Sequence, residues 1–414
     1  MKSYRWLLVN GYLAAVALMF LQQGVSVLTA KDAPLEALDF VVYYTGAHLL
    51  GSEEPQKLYD VEVQKKFQKQ LLGHGTNRFK AGVLPYNHPP FETLLFYPFR
   101  WMPYRTAFFL WLAVNLLLIV LYVAWLTRTF REFETASVRA TLYLGALAFF
   151  PFAVCLLQGQ DTILFLWLIS IGFVCFERGN NATGGVVIGL CFFRFHLAYL
   201  WLIPLFLKAP RRVSAALVIS LSILAGLSLY LTGIPGLMRY LELLQLVNRP
   251  GSLGYELAYM HNWALQLQLL GLDSVRSPAG SATLAAVGAG LVWAIWKDGW
   301  HPESANFGLR FAATSIVGLL TSPYLPIHDV SVAFLGVVLA FRHWLRDATR
   351  RSSHVLGIVL LSSPLAWLLT QPALVFRIQL TACWLTILGG LLWFAAVRSD
   401  SKAIAQTARE YERT

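Results

Sequence analysis

Long apolar runs, repeated along the whole chain, constrain this sequence more than any other feature. A helix needs about 20 predominantly apolar residues to cross the hydrocarbon core of a bilayer. Hydrophobic residues make up 57% of the 414 residues and charged residues only 13%. The sequence therefore predicts an all-α polytopic membrane protein with a bundle of about 10–12 transmembrane helices. The apolar runs cover residues 6–28, 104–126, 140–157, 161–176, 213–232, 280–297, 306–322, 329–341, 354–370 and 373–397.

Clusters of Lys and Arg between these runs predict how the chain crosses the membrane. Short loops rich in Lys and Arg stay on the cytoplasmic side. If every cluster faces the cytoplasm, both termini lie there and the first long loop, residues 30–103, lies on the other side. We expect residues 1–400 to form one membrane unit and 401–414 a cytoplasmic tail. The clusters contain Lys2, Arg5, Arg128, Arg131, Arg139, Lys208, Arg211, Arg212, Arg342, Arg346, Arg350, Arg351, Arg398 and Lys402.

The net charge of +11 does not indicate a nucleic-acid partner, because the basic residues are scattered among short loops. The four cysteines lie in or beside apolar runs, without the spacing of a disulfide or zinc site, and are expected to be buried apolar residues. The acidic residues form no sequence cluster typical of a metal site. We expect no metal and no other cofactor.

The first long loop is expected to carry helices that lie on the outer membrane surface. One amphipathic stretch among lysines repeats an apolar residue every four positions. A second short helix, within residues 87–103, is opened by two prolines and is interpreted as interfacial or re-entrant. The apolar positions of the first stretch are Tyr59, Val63, Phe67 and Leu71.

Residues 182–207 must begin and end on the cytoplasmic side if the charge rule holds, yet they are too few for two full crossings. A pair of short helices that meet part-way satisfies the rule, with Arg194 and His196 near the turn. The alternative is one long tilted helix, which would invert every later segment.

Asp39 begins a helical stretch where an apolar run gives way to a polar loop, and Tyr43 shares its helical face. One interpretation is an N-cap, in which the carboxylate accepts backbone N–H groups. The other is a general base that removes a proton from an acceptor hydroxyl. The residues alone leave both open.

Arg194, with His196 beside it, is a candidate site. An arginine near mid-membrane raises the free energy of the protein unless it pairs with an acid or faces a water-filled cavity. A guanidinium can bond two phosphate oxygens at once, so a phosphate ligand is one interpretation. A structural ion pair with Asp161 or Glu177 is the alternative.

Two further groups of polar residues lie in segments that the charge rule places outside. His328 precedes Asp329, which is either an N-cap or a partner that orients the histidine. Arg377 is either a phosphate contact or a snorkelling surface residue.

His88 and the turn at residues 159–162 complete the candidates. His88 either faces the site or lies on the surface. In the turn, Gln160 and Asp161 are possible substrate-lining residues, although Asp161 or Thr162 could equally cap the next helix.

Four stretches, taken in order, resemble glycosyltransferase family 87, a family of bacterial membrane enzymes of the GT-C class. They are "DFVVYYTGAHLLG" from Asp39, "YNHPPFETLLFYPFRWMP" from Tyr86, "LLQGQDTILF" with the following residues to 207, and "SPYLPIHDVSVAF" from Ser322. Where the family typically has Lys-Pro, this chain has Arg194, Phe195 and His196. The positive charge is kept and the proline is not.

The resemblance implies a GT-C-like bundle in the bacterial cytoplasmic membrane that transfers a sugar, commonly mannose, on the extracytoplasmic side. The donor would be a polyprenyl-phosphate sugar and the acceptor a lipid or a glycan. Asp39 matches the catalytic acidic residue of the first outer loop. Arg194 would meet the donor phosphate, with His196, His328 and Arg377 as further contacts, and phosphate-linked donors generally need no metal.

Two other functions remain open at this point. A lipid-linked substrate transporter or flippase also carries broken helices with charged residues at mid-membrane. A polysaccharide polymerase or ligase would share lipid-phosphate chemistry, but its arginines would lie mainly in large outer loops.

Overall fold

The computed structural model describes residues 2–29, 39–73, 76, 79, 81–247, 253, 259–346 and 377–411. Every regular element within these ranges is helical. The α-helices are α1 (Lys2–Thr29), α2 (Phe40–Leu50), α3 (Val61–Leu72), α4 (Thr93–Phe96), α5 (Tyr104–Thr129), α6 (Ala136–Leu147), α7 (Phe150–Gln158), α8 (Thr162–Glu177), α9 (Asn181–Leu190), α10 (Phe195–Ala198), α11 (Leu202–Leu207), α12 (Arg211–Val247), α13 (Trp263–Leu269), α14 (Pro278–Ile295), α15 (Phe307–Thr321), α16 (Ala333–Arg346) and α17 (Leu380–Tyr411).

The helices of the described ranges include seven segments long and apolar enough to cross a membrane, or eight if α6 and α7, bent by 49°, form one span. Helices α2, α8 and α15 are apolar but shorter. The prediction of an all-α polytopic membrane protein is confirmed. The predicted run 354–370 lies outside the described residues, so the count of about 10–12 helices stays a prediction.

Residues 181–207 are long enough for one crossing, but their contacts show a pair of short helices. A straight helix would separate Gly185 and Leu205 by about 30 Å. Instead Gly185 packs on the backbone of Val213, and the next residue, Ser214, donates its hydroxyl to the Leu205 carbonyl at 2.6 Å. The chain turns at Arg194, whose φ of −113° and ψ of 64° are not helical. The predicted helix pair is confirmed.

Two residues of the predicted basic cluster that follows residue 341 lie at the end of the bundle where α8 ends. Arg342 donates to Glu132 at 3.2 Å and to Glu177 at 2.6 Å, and Arg346 also pairs with Glu132. Asp161 directly precedes α8, and Glu177 is the last residue of this helix. Helix α8 therefore runs from the end of the bundle that holds Asp161 to the end that holds Arg342.

The first long loop folds against the C-terminal half of α12. Helix α12 breaks at Gly233, whose φ of 65° lies in the left-handed region, and Pro235 follows. Beyond the break, Leu243 joins the aromatic core of the loop, and the Tyr240 ring lies 4.8 Å from that of Tyr59. The loop, which includes α2, is therefore packed against the C-terminal part of α12.

Helix α3 forms within the predicted stretch and turns two glutamines toward the protein. Gln64 and Gln68 are fully buried, whereas Val63, Phe67 and Leu71 are only partly buried against the protein. That this helix lies on the outer membrane surface stays a prediction. Its attachment to the protein comes from two amides that bind the backbone of residues 84–86. Gln64 accepts from Tyr86 N at 2.7 Å and Gln68 from Leu84 N at 2.9 Å.

Candidate active site

A buried cluster around Arg194 joins four parts of the chain. Arg194 Nε donates to Asp161 Oδ1 at 2.7 Å, and Nη1 donates to Asp329 Oδ1 at 2.5 Å. Its Nη2 donates to Gln160 Oε1 at 2.6 Å and to the Tyr43 hydroxyl at 3.0 Å. Arg194 is only 2% exposed, and both carboxylates are fully buried. We call these five residues the Arg194 cluster.

Asp39 lies at the edge of this cluster and is linked to it through one amide. Gln160 Nε2 donates to Asp39 Oδ2 at 2.7 Å, while its Oε1 accepts from Arg194. The Asp39 side chain is 27% exposed, in contrast to the buried carboxylates of the cluster. Desolvation raises the pKa of Asp39 to about 6, although Gln160 and Arg194 act in the opposite direction. The carboxyl is therefore accessible and titrates near neutral pH.

The three acids predicted as possible N-caps do not act as caps in the described helices. The carboxyls of Asp39 and Asp161 make no capping bond to α2 or α8, and Asp329 lies inside the 3-10 turn Ile327–Val332. By contrast, Asp60 caps α3 through two backbone N–H groups. The cap interpretation was wrong for all three acids, because their carboxyls point to Arg194 or Gln160.

Two histidines extend the cluster at its edge. His196 Nε2 donates to Asp329 Oδ2 at 3.1 Å, and its side chain is 14% exposed. His328 Nδ1 donates to Gln158 Oε1 at 2.6 Å and lies 3.9 Å from Asp39 Oδ2. These contacts place His196 beside Asp329 and His328 beside Gln158 and Asp39.

His88 faces the cluster from the first loop. Its ring lies 5.0 Å from that of Tyr43, and Nδ1 is 3.0 Å from the Glu92 carboxyl. Burial, followed by the charge of Arg194, lowers the pKa of His88 to about 3, so the ring is neutral. The alternative of a surface histidine was wrong, since its side chain is only 17% exposed and lies between these groups.

Three residues of the site were missed as functional candidates. Thr162 donates its hydroxyl to Asp329 Oδ1 at 2.8 Å, and Gln158 binds His328. Glu92 is 4% exposed and binds His88. The signal for Glu92 was present, because it is the one carboxylate in an apolar stretch and lies four residues after His88.

The turn that carries Gln160 and Asp161 is fixed by helix α5. Trp111 Nε1 donates to the Gly159 carbonyl at 2.9 Å, and Asn115 Nδ2 to the Gln160 carbonyl at 3.1 Å. Gly159 has a φ of 68°, and a Cβ there would lie 2.8 Å from the Cβ of Phe40. Only glycine combines a positive φ with this close approach to Phe40. Because Phe40 follows Asp39 and Gln160 follows Gly159, this contact sets the distance between Asp39 and Gln160.

Gly159→Ala is expected to destabilise the protein by more than Gly179→Ala. Both positions have a positive φ, which costs an alanine about 1–2 kcal/mol. A Cβ at Gly179 would meet no atom within 4 Å, whereas a Cβ at Gly159 would meet Phe40. The free energies of unfolding in detergent would measure the difference, and equal losses would contradict the steric argument.

Arg377 lies apart from the Arg194 cluster. It is exposed, with a φ of 55°, and begins the segment before α17. Its carbonyl accepts from Gln266, while Gln379 binds the Met260 carbonyl next to the Leu325 turn. Arg377 is therefore at the same end of the bundle as the cluster, without a described contact to it.

The geometry gives the acids different chemical roles. Asp161 and Asp329 are bound to Arg194, and the structural ion pair considered for Arg194 is present with Asp161, whereas Glu177 pairs with Arg342. Asp39 alone of the three combines access with a neutral hydrogen-bond partner. It has the access and the titration range that a general base needs.

Comparison with known proteins identifies the family. The sequence profile of glycosyltransferase family 87 matches residues 86–323, more than half of the chain. No curated protein and no solved structure matches it. The matched region includes Glu92, Gln160, Asp161, Arg194 and His196. The chain therefore belongs to glycosyltransferase family 87 and is a membrane-embedded glycosyltransferase.

Proposed function

We propose that this enzyme transfers a hexose, most simply mannose, from a polyprenyl-phosphate donor to a lipid or glycan acceptor, with Asp39 as the general base. The observation that carries the proposal is the partly exposed Asp39 carboxyl beside Gln160, next to a buried cluster whose two carboxylates are bound to a cation. Family membership favours transfer over the transporter alternative.

The proposed reaction is a single displacement at the anomeric carbon. Asp39 takes the proton of the acceptor hydroxyl while that oxygen bonds to C1 of the sugar. The bond between C1 and the phosphate oxygen breaks, and its electron pair leaves on the polyprenyl phosphate. Attack from the face opposite the leaving group inverts the anomeric centre.

The leaving phosphate gains negative charge, which nearby cations would stabilise. Arg194 is buried and paired with two carboxylates. We therefore propose that its positive charge stabilises the phosphate without direct contact. His196 is 14% exposed at the cluster edge, and Arg377 is exposed at the same end. We propose that these two side chains supply the direct phosphate contacts, whereas His328 is buried and supports the site from within, like Arg194.

We propose that the Asp39 end faces the extracytoplasmic side of a bacterial cytoplasmic membrane, with both termini inside. The charge rule supports this, because Arg342 and Arg346 lie at the end of the bundle where α8 ends, opposite Asp161. An impermeant thiol reagent should label a cysteine at Asp60 from outside intact cells. Labelling only in inverted vesicles would reverse the orientation.

The donor class is tested with purified enzyme, a lipid extract and radiolabelled mannose on polyprenyl phosphate, polyprenyl pyrophosphate or a nucleotide. We expect label transfer from the monophosphate donor, with the anomeric configuration opposite to that of the donor. A nucleotide sugar used in preference to the lipid donor would contradict the donor proposal. A retained configuration would contradict the single displacement.

A further inference from the structure

Glu92 and Asp161 form a buried carboxyl pair that the proposed reaction does not use. Glu92 lies 3.0 Å from His88 Nδ1, and the His88 ring is 5.0 Å from the Tyr43 ring, whose hydroxyl is 3.2 Å from Asp161 Oδ1. In this shared environment each acid shifts the pKa of the other. Within the described residues, Glu92 Oε1 and Asp161 Oδ2 are both buried and are left without a donor. Two ionised carboxyls can only accept, so their close approach would repel. A buried acceptor without a donor needs an explanation.

A single proton on Glu92 gives both Glu92 Oε1 and Asp161 Oδ2 a hydrogen-bond partner. As a neutral acid, Glu92 donates its O–H to Asp161 and still accepts from His88 Nδ1 through its other oxygen. The other nearby hydroxyls do not fill this role in the described structure. Tyr86 donates to the Pro89 carbonyl, Tyr59 donates to the His88 carbonyl, and Tyr240 makes no hydrogen bond.

The surrounding charges fix which acid carries the proton. Burial raises the pKa of Glu92 well above its ordinary value, and Asp161 raises it further. Burial alone would also raise the pKa of Asp161, but Arg194 and its other hydrogen bonds hold it below the ordinary range. The proton therefore belongs on Glu92, the acid without a direct bond to Arg194.

We propose that Glu92 is a positioning residue that works as a neutral acid, donating a hydrogen bond to Asp161 and thereby fixing the Arg194–Gln160–Asp39 chain. Asp161 Oδ1 binds Arg194, so a donor on Oδ2 sets the rotation of the carboxylate and with it the guanidinium. Arg194 in turn holds Gln160, whose amide orients Asp39. This inference deepens the proposed function and rests on it for its kinetic test alone.

An infrared measurement tests the protonation directly. At pH 8 Asp39 is ionised, so the carbonyl stretch of a buried protonated acid in the wild type would report Glu92. We expect the band to disappear in Glu92→Gln and to remain in the matched Asp39→Asn control. A band that survives Glu92→Gln, or its absence from the wild type, would overturn the proposal. Neither outcome depends on Asp39 being the base.

Transfer rates test the positioning role. Gln at position 92 keeps one donor and one acceptor, whereas Met fills the space and keeps neither. We expect Glu92→Gln to stay close to the wild-type rate and Glu92→Met to lose about tenfold or more, the size of a lost hydrogen bond to a charged group. The same transfer rate in the two variants would show that a hydrogen-bond donor at this position does not matter and would reject the positioning role.

Discussion

Replacing Asp39 with Asn is expected to lower the rate of sugar transfer by about 10²–10⁴-fold, the usual contribution of a general base. The amide has nearly the same shape and can still accept from Gln160 Nε2, so the Arg194 cluster should stay in place. Donor binding, measured separately, is expected to persist. Undiminished transfer by this variant would remove Asp39 as the base.

The matched control is Asp60→Asn, which makes the same change in the same loop. Asp60 caps α3 and has no contact to the Arg194 cluster among its described hydrogen bonds. Asn caps a helix about as well as Asp. We expect this variant to transfer sugar at the wild-type rate.

The pH dependence gives a second measurement on Asp39. A base must be ionised to accept a proton, and Asp39 has a pKa of about 6. The rate should therefore be constant above this value and fall by about tenfold per pH unit below it. The residual activity of Asp39→Asn should lack this acidic decline.

Arg194→Met is expected to reduce the free energy of unfolding by about 3–5 kcal/mol, because it leaves two carboxylates buried without their cation. Both Asp161 and Asp329 are fully buried and lose a direct ion pair. Denaturant titration in detergent would measure the loss. A variant as stable as the wild type would show that the pairs contribute little.

The control for this loss removes the uncompensated charges as well. Adding Asp161→Asn and Asp329→Asn to Arg194→Met leaves three neutral side chains of similar size. Because a buried charge without a partner is the main cost, the triple variant should recover part of the lost stability. If it is no more stable than the single variant, packing rather than charge explains the loss.

The sequence was sufficient for the helical membrane architecture and for most candidate site residues. Apolar runs of bilayer length need no tertiary information. An arginine between apolar segments already required partners, and Asp161 was among those considered. The helix pair at 182–207 followed from charge at its two ends, and the contacts of Gly185 and Leu205 agree with it.

The sequence was not sufficient where one residue type serves two purposes. An acid before a helix predicts a cap, and only the fold shows that Asp60 caps while Asp39 binds Gln160. Likewise, periodicity singled out the apolar residues of α3, whereas Gln64 and Gln68 are the buried ones because backbone groups from residues 84–86 meet them. Such partners come from distant positions, which periodicity does not register.

The spacing of the ion pairs along the chain also bears on biogenesis. Asp161 precedes Arg194 by 33 residues, whereas Asp329 follows it by 135. During synthesis α8 and the turn at Arg194 can enter the bilayer together, so the cation arrives with one counter-charge already available. The second carboxylate, Asp329, is made only later, in the turn before α16. We expect Arg194 to be paired with Asp161 alone in the ribosome-bound intermediate and to gain its second ion pair when this turn is in place.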